Sequence, residues 1–184
     1  NQIQLAPSLY LQGSASAALG ENTRALGIFR EGIRLSADQH NLFDVAYSLE
    51  AIARLHLEAG DPVLALRLWA GMDAIRQREY VPEYPLLNYQ ETARLLTDRF
   101  GAVADHPEYR RGAAMSADQL VTEAIHLGAV RDGEPVLVYR VLDSAPTTSP
   151  ADKHPTPRQL EILRLMAAGR TNRLQDRVEL ALPG

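Results

Sequence analysis

The chain has 184 residues, no cysteine, 46% apolar residues and 19 basic against 23 acidic side chains, as expected of one or two globular domains held by packing alone. Disulfides, thiol nucleophiles and Cys-bearing zinc sites are excluded, and a reducing cytoplasm is the expected compartment. No apolar run reaches the roughly 18 to 20 residues of a membrane span, and the opening NQIQLAPSLY lacks the regions of a signal peptide, so no membrane partner is expected.

Alanine (26) and leucine (27), both strong helix formers, predict an all-α fold. Helices are expected over about 5–19, 22–37, 41–59 and 62–79, with Gly60, Asp61 and Pro62 supplying a stop, a cap and a first-turn proline. A shift of 40 places Gly20 on Gly60, Glu21 on Asp61, Ala25 on Ala65, Leu26 on Leu66 and Phe29 on Trp69. This marks two related antiparallel hairpins, in which a small residue lets helices approach and an aromatic four residues later fills the gap.

Pro82 and Pro85 then interrupt any helix, since they remove backbone donors and bias their predecessors to extended backbone. A fifth helix is predicted over about 86–100, where Leu87, Tyr89, Ala93, Leu96 and Phe100 recur at helical spacing and Gly101 ends the run. A short sixth covers 106–114. The capping box Ser116-x-x-Gln119 opens a seventh over 117–127, ended by Gly128. Residues 134–142, EPVLVYRVL, are the only β-branched and aromatic run and predict one extended strand, which either lies against the helices or pairs with a segment this chain lacks. Residues 143–155, rich in Pro, Ser and Thr, read as a linker. The expected organisation is a helical repeat domain over 1–130, an extended segment and linker over 131–155, and a separate tail over 156–184.

Charge follows that division. Residues 1–152 carry 13 basic and 20 acidic groups, net −7, and residues 153–184 carry six and three, net +3. An acidic body repels a phosphate backbone, so nucleic-acid contact is expected only from the tail.

The tail reads His154-Pro-Thr-Pro-Arg-Gln-Leu-Glu-Ile-Leu-Arg-Leu-Met-Ala-Ala-Gly-Arg-Thr-Asn-Arg173. Thr156 can cap a helix with Pro157 at its first position; Leu160, Leu163, Met166 and Ala167 form one apolar face, and Gly169 ends it. This stretch resembles the opening of a LuxR-type helix-turn-helix domain, with Thr156, Pro157, Arg158, Glu161, Leu163, Leu165, Ala167, Gly169, Thr171 and Asn172 at the pattern's spacing. The body, through LEAIARLHLEAGDPVLALRLWAGMDAIR and YRRGAAMSADQLVTEAI, is similar to the tetratricopeptide-like region preceding that domain in large ATPase-linked LuxR-family regulators. The resemblance implies a transcription regulator with Arg158, Arg170, Thr171, Asn172 and Arg173 as partial DNA-binding residues, and a recognition helix that reads the major groove. After Arg173 the sequence departs from the pattern: Leu174-Gln175 stand where Glu-Ile-Ala is usual, and 176–180, DRVEL, resemble a later family segment one residue early. One missing residue rotates the following helix by about 100°. With Pro183-Gly184 closing the sequence, the expectation is a truncated domain without direct base readout, whether fragment or shortened product. Specific DNA binding is therefore not expected, whereas weak association through Arg158, Arg164, Arg170, Arg173 and Arg177 is expected to fall steeply with salt.

No chemistry-bearing motif competes with this reading. Lys153 is the only lysine, so a Gly-Lys phosphate loop is excluded. His40, His56, His106, His126 and His154 form no ligand pair of the H-E-x-x-H kind, and a lone Glu123-x-x-His126 reads as a surface hydrogen bond. Ser14, Ser16, Ser36, Ser48 and Ser116 have no G-x-S-x-G context. Neither enzyme activity, metal nor cofactor is expected. GSASAALG over 13–20 reads as close helix packing. Trp69, Tyr80, Tyr84, Tyr89 and Tyr109 either stitch helices together or line a concave groove for a protein or peptide partner. Arg76, Arg78, Arg110 and Arg111 form a patch for an acidic partner only if the fold gathers them. The alternative function is thus a free-standing helical-repeat interaction module with a vestigial tail.

Overall fold

Corners spaced twenty residues apart organise the first half of the chain. The computed structural model describes residues 5–81, 89–138 and 157–169. Gly20, His40, Gly60 and Tyr80 take left-handed backbone, with φ of 79°, 53°, 88° and 53°. The following residues, Glu21, Asn41, Asp61 and Val81, donate their N–H groups to the carbonyls of Ser16, Ser36, His56 and Arg76 at 2.9 to 3.0 Å. Each helix is therefore closed by the same six-to-one corner, which satisfies carbonyls that would otherwise lack partners. Four helices result: α1 (Leu5–Ala18), α2 (Asn22–Asp38), α3 (Leu42–Glu58) and α4 (Pro62–Glu79). Asn41 and Asp61 accept the N–H groups of Asp44 and Leu64 as caps of α3 and α4.

His40 and Tyr80 hold strained backbone without glycine, and Tyr80 is 90% exposed. Left-handed backbone costs an L-residue about 1 kcal/mol, partly offset by the greater unfolded-state freedom of glycine. His40→Gly and Tyr80→Gly are each expected to raise stability by about 0.5 kcal/mol, and Gly60→Ala to lower it by about 1 kcal/mol. Urea midpoints check this; a fall in both glycine variants contradicts it.

The second half wraps the first. α5 (Tyr89–Phe100), a 3-10 turn (Val103–Asp105), α6 (Pro107–Ala114) and α7 (Ala117–His126) follow, and α8 (Pro157–Ala167) ends the described chain. The architecture is all-α, with no strand among the described residues. α1 to α4 pack in sequence as antiparallel neighbours, α6 lies along α4, and α7 rests across α2, α3 and α4. The predicted cap at Asp61 and the Ser116–Gln119 capping box appear, and Thr156 lies outside the described residues. Of the fifth helix, 86–88 lie outside the described residues.

One continuous core joins Phe29, Ile33, Leu49, Ile52, Leu66, Met72 and Leu120 across these helices. Ala25 and Ala65 are completely buried, with Phe29 1% and Trp69 6% exposed, in keeping with the small-then-aromatic pattern. Glycines set several close approaches, among them Gly13, on which Phe29 lies and where a Cβ would come within 2.7 Å of the ring, and Gly112, which lies on the Arg67 carbonyl. The latter brings the backbone of α6 against that of α4.

The extended run of 134–142 is described only to Val138. Its described part makes no ladder and lies against the corner between α1 and α2. Gly133 and Val136 donate N–H groups to the carbonyls of Gly20 and Ala17 at 3.0 and 2.8 Å, and Val130, Val136 and Val138 enter the core. Asn22 Nδ2 donates to the carbonyls of Arg131 and Glu134. Asp132 accepts the Thr23 N–H at 2.8 Å and so caps α2, a task its own Glu21 does not perform. β-branched residues here serve burial rather than pairing. The predicted linker, 143–155, lies outside the described residues.

Candidate functional site: the docked tail helix

The tail forms the helix its capping signals predict. Pro157 stands at the start of α8, and Gly169 closes it with φ of 70°, its N–H donating to the Met166 carbonyl at 2.9 Å. Leu163 and Ala167 are 5% and 2% exposed. They are buried with Ala15 and Ala18 of α1, and Leu19 and Met166 pack at the margin. At the end of α8 the Ala167 carbonyl accepts two hydrogen bonds from the body, from Gln12 Nε2 at 3.0 Å and Arg24 Nη2 at 2.9 Å. A guanidinium at a helix C-terminus also complements the helix dipole. The same Arg24 pairs with Glu21 through Nη1 at 3.0 Å.

The small-residue run 13–20 thus packs closely on more than one side. Gly13 receives Phe29, Ala17 belongs to the main core, and Ala15 and Ala18 receive α8. Of the residues implied in DNA contact, Arg158 lies in the first turn of α8. Arg170, Thr171, Asn172 and Arg173 lie outside the described residues, as do Thr156 and Arg177. Arg164 is exposed on α8.

The aromatic set behaves mainly as internal stitching. Trp69 stacks on Tyr89 with centroids 5.5 Å apart and meets Tyr109 at 6.3 Å, joining α4, α5 and α6. Asp73, 8% exposed, accepts from Tyr89 Oη at 2.7 Å and Gln77 Nε2 at 2.8 Å. Burial and the neighbouring Asp73 carboxylate push the Tyr109 phenol above its ordinary range. Tyr80 points to solvent, and Tyr84 lies outside the described residues.

The four arginines do not act as one free patch. Arg76 covers the Tyr89 ring at 4.2 Å and faces Asp73; Arg110 faces Asp105; Arg111 pairs with Glu123 at 3.1 Å. Arg78 is exposed and donates to the Ala74 carbonyl. Glu123 also accepts from Arg67 at 3.0 Å, and Arg67 bonds Glu108, so these side chains tie α4, α6 and α7 together. The Glu123 carboxylate is therefore engaged by arginines rather than by His126. Among the described residues, no group of three or more His, Asp or Glu side chains is placed to hold a metal.

Sequence reasoning missed His56, which is fully buried in α3. Neither ring nitrogen has a hydrogen-bond partner. Gly128 lies on the ring, and Arg30 of α2 secures that approach by donating to the carbonyls of Ala124, Leu127 and Gly128 at 2.7 to 2.9 Å. Burial lowers the imidazole pKa to about 4, with Asp61 opposing the shift and Arg30 adding to it. The only hint in the sequence is that His56 falls at a core-facing position of its helix. No helix among the described residues is long and apolar enough to cross a membrane. Comparison of the chain with protein-family models, with curated proteins and with solved structures finds no match in any of the three.

Proposed function

We propose that this chain is a signal-coupling segment of a LuxR-type transcription regulator, in which α1 to α7 form the helical interaction region and α8 is the opening helix of the DNA-binding unit. The single observation that carries the reading is a ten-residue sequence pattern at fixed spacing, of which Pro157, Arg158, Glu161, Leu163, Leu165, Ala167 and Gly169 fall on α8 and its closing turn. Pro157 begins the helix, Gly169 ends it in left-handed backbone, and Leu163, Met166 and Ala167 share one face. The acidic charge of the body leaves phosphate contact to the tail, with Arg158, Arg170 and Arg173 as the cationic residues of the motif.

The coding sequence on both sides of this segment tests the proposal. A downstream stretch encoding Thr-Val-x-x-His, in this or another frame, supports a regulator; flanks encoding only further helical repeats overturn it. A second reading, a protein-binding repeat module with a vestigial tail, is favoured by the docking of α8 on α1. It predicts a stable protein or peptide partner for the full chain and no measurable affinity for DNA.

A further inference from the structure

The ring of His56 is sealed without a partner under a thin cover. It is completely buried and neither nitrogen is hydrogen-bonded. Gly128 lies on the Cε1 edge so closely that a Cβ there would come within 2.5 Å of that carbon, with Leu64 of α4 beside it. Yet residues 126–129 are themselves exposed, so a single stretch of backbone separates the ring from water. Leaving a polar group buried and unsatisfied costs free energy, and the cover must therefore be held down. Arg30 holds it, donating to the carbonyls of Ala124 at 2.9 Å, Leu127 at 2.7 Å and Gly128 at 2.9 Å. Beyond Gly128 the chain is tied to the start of α2: Thr23 Oγ1 donates to the Val130 carbonyl at 3.3 Å, and Asp132 caps the helix through the Thr23 N–H.

We propose that residues 127–133 form an acid-released latch over His56: when the ring takes a proton from water, the end of α7 and this stretch lift from α2 while the main core stays in place. An imidazolium cannot keep the position of the neutral ring. Burial disfavours the charge most, and Arg30, the clasp of the latch, repels it; Asp61, at the corner between α3 and α4, attracts it and is outweighed. Asp132, the carboxylate of the latch itself, is engaged at the start of α2. The latch yields before the stack does because its fastenings are mostly polar bonds to carbonyls near the surface. The helix that carries His56 is instead fixed through Leu49, Ile52 and Leu55, all completely or almost completely buried in the main core. Lifting the latch also removes the cap that Asp132 lends to α2, so protonation at one end of that helix loosens the other.

Native-state amide exchange of the full chain, corrected for the pH dependence of the exchange chemistry, reads the latch directly. The reporters are the N–H groups of Leu127, Gly133 and Thr23, which bond Glu123, Gly20 and Asp132. With a ring pKa of about 4 when covered and about 6.5 when open, opening at these amides is expected to become about twentyfold more favourable between pH 7 and pH 5. Amides of residues 46–52 in α3 are expected to exchange more slowly than the reporters at both pH values. His56→Leu is expected to abolish the twentyfold rise. Arg30→Gln, which weakens the clasp, is expected to speed the reporters about tenfold at both pH values.

No rise in the parent overturns the latch, and so does a rise that persists in His56→Leu. Reporters that exchange no faster than residues 46–52 overturn it as well, because the ring is then reached only by unfolding the stack. If His56→Leu does not fold, Arg30→Gln decides: faster reporters that keep the twentyfold ratio support the latch, and unchanged reporters overturn it.

Discussion

Phe29→Ala is expected to lower stability by about 3–5 kcal/mol, the range for truncating a fully buried phenylalanine. The ring is 1% exposed, lies on Gly13 and meets Tyr10 at a centroid distance of 5.8 Å. Its loss empties the joint between α1 and α2. Gly13→Ala alone is expected to cost about 1–3 kcal/mol, since its methyl group would press into the ring and force it to move. In combination the two are expected to cost less than their sum, because the methyl group then occupies part of the vacated volume. Denaturant unfolding of the four proteins checks this. Strict additivity would show that the two positions do not share one packing volume.

His56 is expected to produce the largest pH effect. Its folded pKa of about 4 lies below the ordinary 6.5 of the unfolded chain, so the unfolded state binds the extra proton first. The stability associated with the neutral ring is fully present above pH 6.5, declines as pH falls below that value, and is lost by about pH 4. The difference in pKa corresponds to about 3 kcal/mol across that window. His56→Leu removes the two unpartnered ring nitrogens and keeps an apolar side chain of similar bulk. It is expected to flatten the curve by that amount without loss of stability at pH 7. Subtracting the variant's curve from the parent's isolates His56 from the carboxylates. A parallel pair of curves would mean that the imidazole is solvated or hydrogen-bonded.

The helices were legible because apolar period and punctuation agree. Gly60-Asp61-Pro62 writes a stop, a cap and a start in three letters. The corners at His40 and Tyr80 were not legible, since neither residue favours left-handed backbone; the surrounding packing imposes it. The run from Glu134 advertised a strand through its valines, yet Val136 and Val138 are selected for burial beside α1 and α2. Periodicity reports which residues avoid water and not what covers them.

The site was legible only as a helix. The capping signals and the apolar face of α8 were plain, but its place on α1 depends on Ala15 and Ala18, residues common to Ala-rich helices. Gln12 and Arg24, which hold its end, belong to no motif. The position of His56 was equally silent, because the glycine that seals it, Gly128, is 72 residues further along the chain.

The recurrence of one corner every twenty residues has a consequence for how such a chain can lengthen. Because successive joints are geometrically interchangeable, a duplicated stretch of forty residues begins and ends on matching hinges and enters the stack without disturbing those already there. A gene encoding this architecture can grow by whole pairs of helices, whereas the loss of a single codon within a helix turns its apolar stripe away from its neighbours.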